Sequence, residues 1–410
     1  MKPKILRTEA DYEAALAHLE TLMDSQPGSP EEEELELFAV LIENYEEKHF
    51  PVPLPDPVAA IEFRMEQQGL TRKDMQKYLG SQSKVSEVLS GKRPLSLSMI
   101  RKLHYQLGIP SEVLLQDKGR QLSEAAFRWQ DFPFKELFSQ GFFPAFNGSL
   151  AEAKEYAEEL LTDLFAVFGG KTPQPVYCKR TDRPMNENAL LAWQARVLSL
   201  VQNEQLPPFE HDSLDEELLQ NLVHLSYYES GPRLVKEHLN KKGIHFVILP
   251  HLNKTHLDGA TFLTRNGRPV IAMTLRYDRT DNFWFTLMHE LGHIYLHLED
   301  ASMAFFDETI QDEQNASTPQ EQEANQFARD ALVPPDYWQS NIQPNITYLS
   351  KNEIRVHAAE LEIAPEIIAG LVSWETRNYK KFSNMIGHNQ VREQFPEYQV
   401  SRAYSGDVAQ

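Results

Sequence analysis

One stretch decides the fold of this chain: Phe285-Thr286-Leu287-Met288-His289-Glu290-Leu291-Gly292-His293. It lies in an apolar segment that predicts a helix from about residue 281 to residue 298. On that helix His289 and His293 are one turn apart on the same face, so both imidazoles can bind one Zn²⁺ ion. Glu290 is rotated around the helix and can take a proton from water instead of binding the metal. We therefore predict that the two histidines are metal ligands and that Glu290 is the catalytic base. The alternative is a helix whose histidines are ordinary buried or surface groups.

A site of this kind needs a third protein ligand. His297 continues the spacing, but it lies ~12 Å from the first histidine along a continuous helix, so we expect it to lie beside a ligand or to be exposed. The better source is a second helix, residues 319–332, on which Glu321 and Asn325 share a face. We predict that Glu321 binds the metal and that Asn325 holds a ligand histidine by a hydrogen bond. Glu323 falls on another face, where we expect solvent exposure.

Short β-rich runs precede the helix that carries His289 and His293; they lie at residues 245–249, 260–264 and 269–275. Between the last two runs, Asn266-Gly267 is a strong hairpin signal. Most other segments show helical periodicity. The predicted fold class is therefore mainly α with a small β-sheet (α+β), with an all-α N-terminal domain and an α+β metallopeptidase domain.

A second signal lies in residues 58–115. The pattern is that of a helix-turn-helix: a helix at residues 71–79, a glycine at the turn and a second helix at residues 82–89. In such a pair the second helix enters a major groove. Residues 71–102 contain eight basic and two acidic side chains, a local charge of +6 that favours phosphate binding. The predicted contacts to base edges are Gln82, Ser83, Lys84 and Ser86, and those to phosphates are Lys92 and Arg93. The alternative is a helical bundle for protein docking, and Glu87 would face the groove unfavourably unless it reads a cytosine amine.

Composition limits the class of protein. The chain has 410 residues, a net charge of −20 and a single cysteine, Cys178. This acidic balance argues against a surface that tracks nucleic acid throughout, and one cysteine excludes an intrachain disulfide framework. No apolar run approaches the ~18 residues of a membrane span, and the N-terminus lacks the apolar core of a signal peptide. We expect a cytoplasmic protein without a membrane partner.

Length and linker composition predict several domains. The predicted segments are an N-terminal helical pair (1–52), a helix-turn-helix domain (53–117), a helical connector (118–205), a metallopeptidase domain (206–340), and a C-terminal helical region and tail (341–410).

Residues 206–375 resemble the ImmA/IrrE family of zinc metallopeptidases, which are gluzincins. The resemblance rests on the hairpin segments Leu257-Asp258-Gly259-Ala260 and Pro269-Val270-Ile271 and on the stretch quoted above. It also rests on Glu321-Gln322-Glu323-Ala324-Asn325-Gln326-Phe327-Ala328 and on Leu332-Val333-Pro334. It implies a zinc-dependent endopeptidase that cleaves repressor-like proteins, with His289, His293 and Glu321 as metal ligands and Glu290 as the base. The residue that stabilises the transition state is not identified by it; Tyr277 and His297 are candidates.

Residues 1–115 resemble HigA-type antitoxins with a Cro/C1-type helix-turn-helix. The resemblance rests on Leu79-Gly80-Ser81-Gln82-Ser83-Lys84-Val85-Ser86 and on Ser90-Gly91-Lys92-Arg93-Pro94-Leu95-Ser96. It implies duplex operator DNA as a partner and a toxin–antitoxin, mobile-element, stress or phage-defence setting. The protein partner is then a repressor or a cognate toxin, and the module is a candidate homodimer.

Two functions remain open at this point. The leading prediction is a DNA-binding regulator with a zinc endopeptidase domain, which the intact Glu290 favours. The alternative is a HigA-like antitoxin or repressor whose zincin domain senses or docks a partner without proteolysis.

Overall fold

The computed structural model describes residues 2–50, 54–116, 127–169, 176–179, 185–298, 303–307, 318–396 and 398. The chain divides into two compact units, Met1–Ser123 and Glu124–Gln410. The five predicted segments stay a prediction.

The first unit consists of helices. They are α1 (Glu9–Leu22), α2 (Pro30–His49), α3 (Pro57–Gln68), α4 (Gln76–Leu79), α5 (Gln82–Leu89), α6 (Leu97–Leu107) and α7 (Ser111–Leu114). The first two pair around a small core that includes Phe38 and Tyr45. Thr8 and Ser29 cap them by accepting hydrogen bonds from the backbone N–H groups of Asp11 and Glu32, as their side chains favour.

Helices α3 to α7 surround a separate apolar core that includes Ile61, Met75, Val85 and Ile100. The chain turns between α4 and α5 at Gly80, whose φ of 97° and ψ of −139° are accessible essentially only to glycine. α5 has the bounds predicted for the second helix of the pair, whereas the preceding helix is shorter than predicted.

The second unit is built on a sheet with the strand order β1-β5-β3-β4-β2. The strands are β1 (Val176–Lys179), β2 (His245–Ile248), β3 (Gly259–Leu263), β4 (Pro269–Met273) and β5 (Met303–Asp307). β3 and β4 form the predicted antiparallel hairpin. β2 runs parallel to β4, β5 runs antiparallel to β3, and β1 runs parallel to β5.

The second unit also contains eleven α-helices among its described residues. They are α8 (Phe134–Ser139), α9 (Leu150–Ala153), α10 (Ala157–Phe165), α11 (Glu187–Val201), α12 (Glu216–His224), α13 (Gly231–Lys241), α14 (Thr280–Leu296), α15 (Pro319–Leu332), α16 (Pro335–Tyr337), α17 (Lys351–Glu360) and α18 (Pro365–Glu375).

The sheet is covered by helices on both faces, because its side chains alternate between two cores. On β2, Phe246 and Ile248 belong to the core that contains residues of α14, α15 and α18. Val247, between them, belongs to the core that contains residues of α8, α10 and α11. The helices of the predicted connector therefore share a core with strands of the predicted peptidase domain.

The predicted fold class, mainly α with a small sheet, is confirmed. Sequence reasoning missed β1 and β5, which are only four and five residues long. Strands of this length carry little periodicity, and their partners lie far away in the chain. Among the residues that the structure describes, no helix is long and apolar enough to cross a membrane.

Candidate metal centre and nucleic-acid interface

Three side chains that could hold a metal ion, His289, His293 and Glu321, meet between α14 and α15 and form the candidate metal cluster. The Nε2 atoms of His289 and His293 are 3.0 Å apart, and they lie 3.4 and 3.5 Å from the two carboxylate oxygens of Glu321. All three side chains are buried. Zinc bonds of ~2.0–2.1 Å in a tetrahedron place their ligand atoms roughly 3.3 Å apart. The observed spacings and the donor set of two imidazoles and a carboxylate therefore fit a zinc ion.

The close packing of the two helices places Glu321 beside the histidines. Gly292 allows this close approach because it has no side chain. A Cβ atom there would lie 3.2 Å from the Cα atom of Ala324 and 3.1 Å from a ring carbon of Phe327. Thr318 caps α15 by accepting a hydrogen bond from the Glu321 N–H group, so Glu321 lies in the first helical turn.

Glu290 is also buried, next to the cluster but outside it. The Thr261 hydroxyl on β3 donates a hydrogen bond of 2.7 Å to Oε2 of Glu290. On the other side, a Cβ atom at Gly259 would lie 2.1 Å from Oε1 of the same carboxylate, so only glycine leaves room for it in this position. Sequence reasoning gave neither residue a role, although a threonine inside an apolar strand was a usable signal.

His297 and Glu323 extend the cluster outward. Nδ1 of His297 lies 3.1 Å from Nδ1 of His293, and its Nε2 lies 2.9 Å from Oε2 of Glu323. Because His293 presents Nε2 to the other ligands, the network assigns its proton to Nδ1, which donates to His297, and His297 in turn donates to Glu323. Phe305 stacks on the His293 ring, with centroids 4.3 Å apart. Glu323 is exposed, as predicted, but it is connected to the metal cluster.

Asn325 lies one turn after Glu321 and is 5% exposed. Among the described residues its Oδ1 atom has no hydrogen-bond partner. The predicted hydrogen bond between Asn325 and a ligand histidine is not present among the described residues, and Asn325 instead lines a neighbouring cavity. Tyr277, one of the two candidates for stabilising the transition state, lines the same cavity.

In the first unit, the predicted base-reading residues Gln82, Ser83 and Ser86 are exposed on α5, and Lys84 is half-buried. Lys92 is exposed in the turn that follows. These positions are compatible with the predicted contacts to DNA, which stay a prediction.

Glu87, the acid on that helix, is held by its neighbours. The Arg93 guanidinium donates a hydrogen bond of 2.6 Å to one of its carboxylate oxygens, and the Ser83 hydroxyl donates one of 2.9 Å to the other. Arg93 lowers the pKa of Glu87 below its usual value. The negative charge is thus compensated within the domain, and the Arg93 side chain, which was predicted to contact phosphate, is already engaged in an ion pair.

A buried cluster of two histidines and a glutamate, in a chain that also carries a helix-turn-helix, defines a metallopeptidase-like protein with a DNA-binding domain. Residues 239–368 match the model of the IrrE N-terminal-like domain, peptidase family M78, and residues 61–114 match a helix-turn-helix model. Antitoxin HigA of Escherichia coli strain K12 is 34% identical over 112 residues, which cover 25% of this chain and 78% of that protein. Antitoxin HigA of Shigella flexneri gives the same values. Through its N-terminal part the chain belongs to the family of HigA antitoxins, and both resemblances seen in the sequence are confirmed.

Proposed function

We propose that this protein is a DNA-binding regulator whose metallopeptidase-like domain uses zinc to hydrolyse peptide bonds of a partner protein. The observation that carries the proposal is the position of Glu290. A buried carboxylate lies beside a buried set of three metal-binding side chains and is not part of that set. A structural metal site would not need this acid, whereas hydrolysis needs a base there.

Each residue of the candidate site would have its own role in hydrolysis. His289, His293 and Glu321 would hold the zinc ion, which when bound polarises a peptide carbonyl and lowers the pKa of water. Glu290 takes a proton from the attacking water and delivers it to the leaving amine. The hydrogen bond from Thr261 fixes one carboxylate oxygen of Glu290, and the other oxygen lies beside Gly259. His297 and Glu323 orient the ring of His293 through their hydrogen bonds.

The N-terminal unit would direct this activity to an operator. Similarity to HigA antitoxins supports duplex DNA as one partner and a cognate toxin or a repressor as the protein partner. A homodimer would match the two half-sites of a palindromic operator.

A second candidate function is a HigA-like antitoxin or repressor whose metal domain senses or docks a partner without proteolysis. A specific observation favours it: the Glu290 side chain has no exposed surface, and one of its oxygens already accepts a hydrogen bond from Thr261. The two candidates differ in whether Glu290 is needed for turnover.

The deciding experiment compares the wild-type protein with Glu290→Gln. The assay combines metal content by mass spectrometry with cleavage of proteins encoded by adjacent genes and of a proteome-derived peptide library. We expect Glu290→Gln to retain one zinc ion per chain and to lose cleavage by roughly 10²–10⁴-fold, the usual value of a general base. Glu366→Gln, which changes a half-buried carboxyl on α18, is the matched control and should cleave normally. If the metal-loaded wild type cleaves nothing, or if Glu290→Gln cleaves as well as the wild type, the second candidate stands.

A further inference from the structure

A cavity of about 270 Å³ lies next to the metal cluster. Phe285 and Asn325 line it, and each is one helical turn from a metal-binding residue, His289 on α14 and Glu321 on α15. The Phe285 ring is stacked on the His289 ring, with centroids 6.3 Å apart. Since one turn of helix is ~5.4 Å, a peptide held over the cluster can place a neighbouring side chain in this cavity.

Much of the cavity wall lies outside the region that the family model matches. Residues from 370 to 388, including Trp374 and Ser383, form part of the lining. The match to the IrrE N-terminal-like domain ends at residue 368. The cavity therefore depends on a segment that lies outside the matched region.

The lining combines an apolar interior with a cation, Arg329, that forms no ion pair with the described residues. Arg329 lies 4.4 Å from the centroid of the Trp374 ring, and its Nη2 donates to Gln326. Its Nε atom is buried and has no acceptor among the described residues. Likewise, Oδ1 of Asn325 has no donor among them. Leaving such buried groups unsatisfied is unfavourable, so a ligand that both accepts and donates a hydrogen bond is favoured here. The other arginine of the lining, Arg279, is already paired with Asp281.

We propose that this cavity binds a tyrosine side chain of the protein substrate, adjacent to the peptide bond that is cleaved. The inference rests on the proposed peptidase function and specifies its substrate. A phenol ring matches the aromatic walls at Phe285 and Trp374, and its hydroxyl can accept a hydrogen bond from Arg329 and donate one to Asn325. Lysine and arginine side chains are disfavoured by the charge of Arg329. Phenylalanine and leucine lack the hydroxyl and leave both polar groups unsatisfied.

Binding is tested without relying on catalysis. N-acetyl-L-tyrosinamide and N-acetyl-L-phenylalaninamide are titrated into full-length, metal-free Glu290→Gln protein and followed by NMR. We expect the tyrosine amide to bind at least about tenfold more tightly, the value of one hydrogen bond to a charged group. Arg329→Met should remove this difference. Arg377→Met is the matched control, because Arg377 also lies over Trp374, at 5.1 Å, but is exposed and does not line the cavity.

A second variant covers the case in which Arg329→Met does not fold. Ser383 is exposed at the edge of the cavity, so Ser383→Trp adds bulk there without disturbing the core, and it should abolish binding of both amides. Equal binding of the two amides by the Glu290→Gln protein, or binding unaffected by Ser383→Trp, overturns the proposal.

The cleavage profile of the wild type separates this proposal from the peptidase function. Cleavage sites flanked by tyrosine support both. Cleavage without a tyrosine preference overturns the proposal that the cavity binds tyrosine, but it leaves the peptidase function intact. Selective binding of the tyrosine amide by a protein that cleaves nothing supports the pocket and overturns the peptidase function.

Discussion

Two glutamates of α15 occupy different environments although only one residue separates them. Glu321 is buried with the two histidines, whereas the Glu323 side chain is 63% exposed and is connected to the cluster through His297. Positions two apart on a helix are ~200° apart around its axis, so one acid faces α14 while the other faces solvent. The two residues are a natural matched pair for mutation.

Mutation of these two acids should affect metal binding differently. We expect Glu321→Gln to lose the metal, because a neutral amide replaces the carboxylate in the cluster. Glu323→Gln should keep the metal with roughly 10–100-fold lower affinity, since it weakens only the hydrogen bond that orients His293 through His297. Mass spectrometry gives the metal content, and competition with a chelator gives the affinity. An empty site in Glu323→Gln together with a full site in Glu321→Gln would refute the choice of ligand.

Gly259 limits where the Glu290 carboxylate can lie. In Gly259→Ala the new Cβ atom would lie 2.1 Å from Oε1 of Glu290, so the carboxylate must move. We expect cleavage to fall at least about tenfold, within the range that a general base contributes, while zinc content stays at the wild-type level. Gly267→Ala is the control: at a φ of 73° the alanine strains the hairpin, but its Cβ atom meets nothing within 4 Å and does not touch Glu290, so turnover should stay normal. Normal turnover in Gly259→Ala would show that Glu290 is not held as tightly as the structure indicates.

At the scale of elements, the helix-turn-helix presents α5 with the turn that follows it. Lys92 is exposed in this turn, whereas Arg93 is paired with Glu87. We therefore expect Lys92 to provide a phosphate contact and Arg93 to hold the turn against α5. The two basic side chains, adjacent in sequence, thus have different expected roles.

The corresponding prediction concerns the salt dependence of DNA binding. Lys92→Ala should weaken binding of the full-length protein to its own promoter and lower the slope of log K against log [salt] by about one unit. Lys48→Ala, which removes an exposed lysine from α2, should leave both unchanged. Electrophoretic or fluorescence titrations across a salt series measure the slope. If the wild type fails to bind its promoter or pooled genomic fragments even at ~50 mM salt, the protein-docking alternative is favoured.

At the scale of the whole molecule, the candidate metal site and the helix-turn-helix lie in separate compact units. The metal cluster lies within Glu124–Gln410, and the core around α5 lies within Met1–Ser123. A ligand that binds only the folded state of one unit stabilises that unit by mass action.

Calorimetry should therefore show that zinc stabilises only one of the two units against unfolding. Zinc at a thousand times its Kd adds about 4 kcal/mol to the second unit and should raise the Tm of its transition by several degrees. We expect the transition of the helix-turn-helix unit to stay at the same temperature, and a chelator to reverse the change. Glu321→Gln is the control and should not respond to zinc. A shift of both transitions by the same amount would contradict the assignment of the metal to one unit.

The sequence by itself determined the features that depend on neighbours along the chain. The quoted stretch predicts a helix with two histidines on one face, and Glu321 falls on the inward face of its own helix. The bounds of α5, the β3–β4 hairpin and the caps at Thr8 and Ser29 could also be predicted. These features follow from hydrogen bonds three or four residues apart and from turn residues with restricted conformations.

Only the tertiary structure decided which distant groups meet. It brought Thr261 and Gly259 to Glu290, connected Glu323 to His293 through His297, and paired Arg93 with Glu87. It also added β1 and β5 to the sheet and closed a cavity with residues beyond 368. These contacts depend on how helices and strands pack, and packing joins side chains of widely separated segments whose sequence spacing carries no signal of their contact.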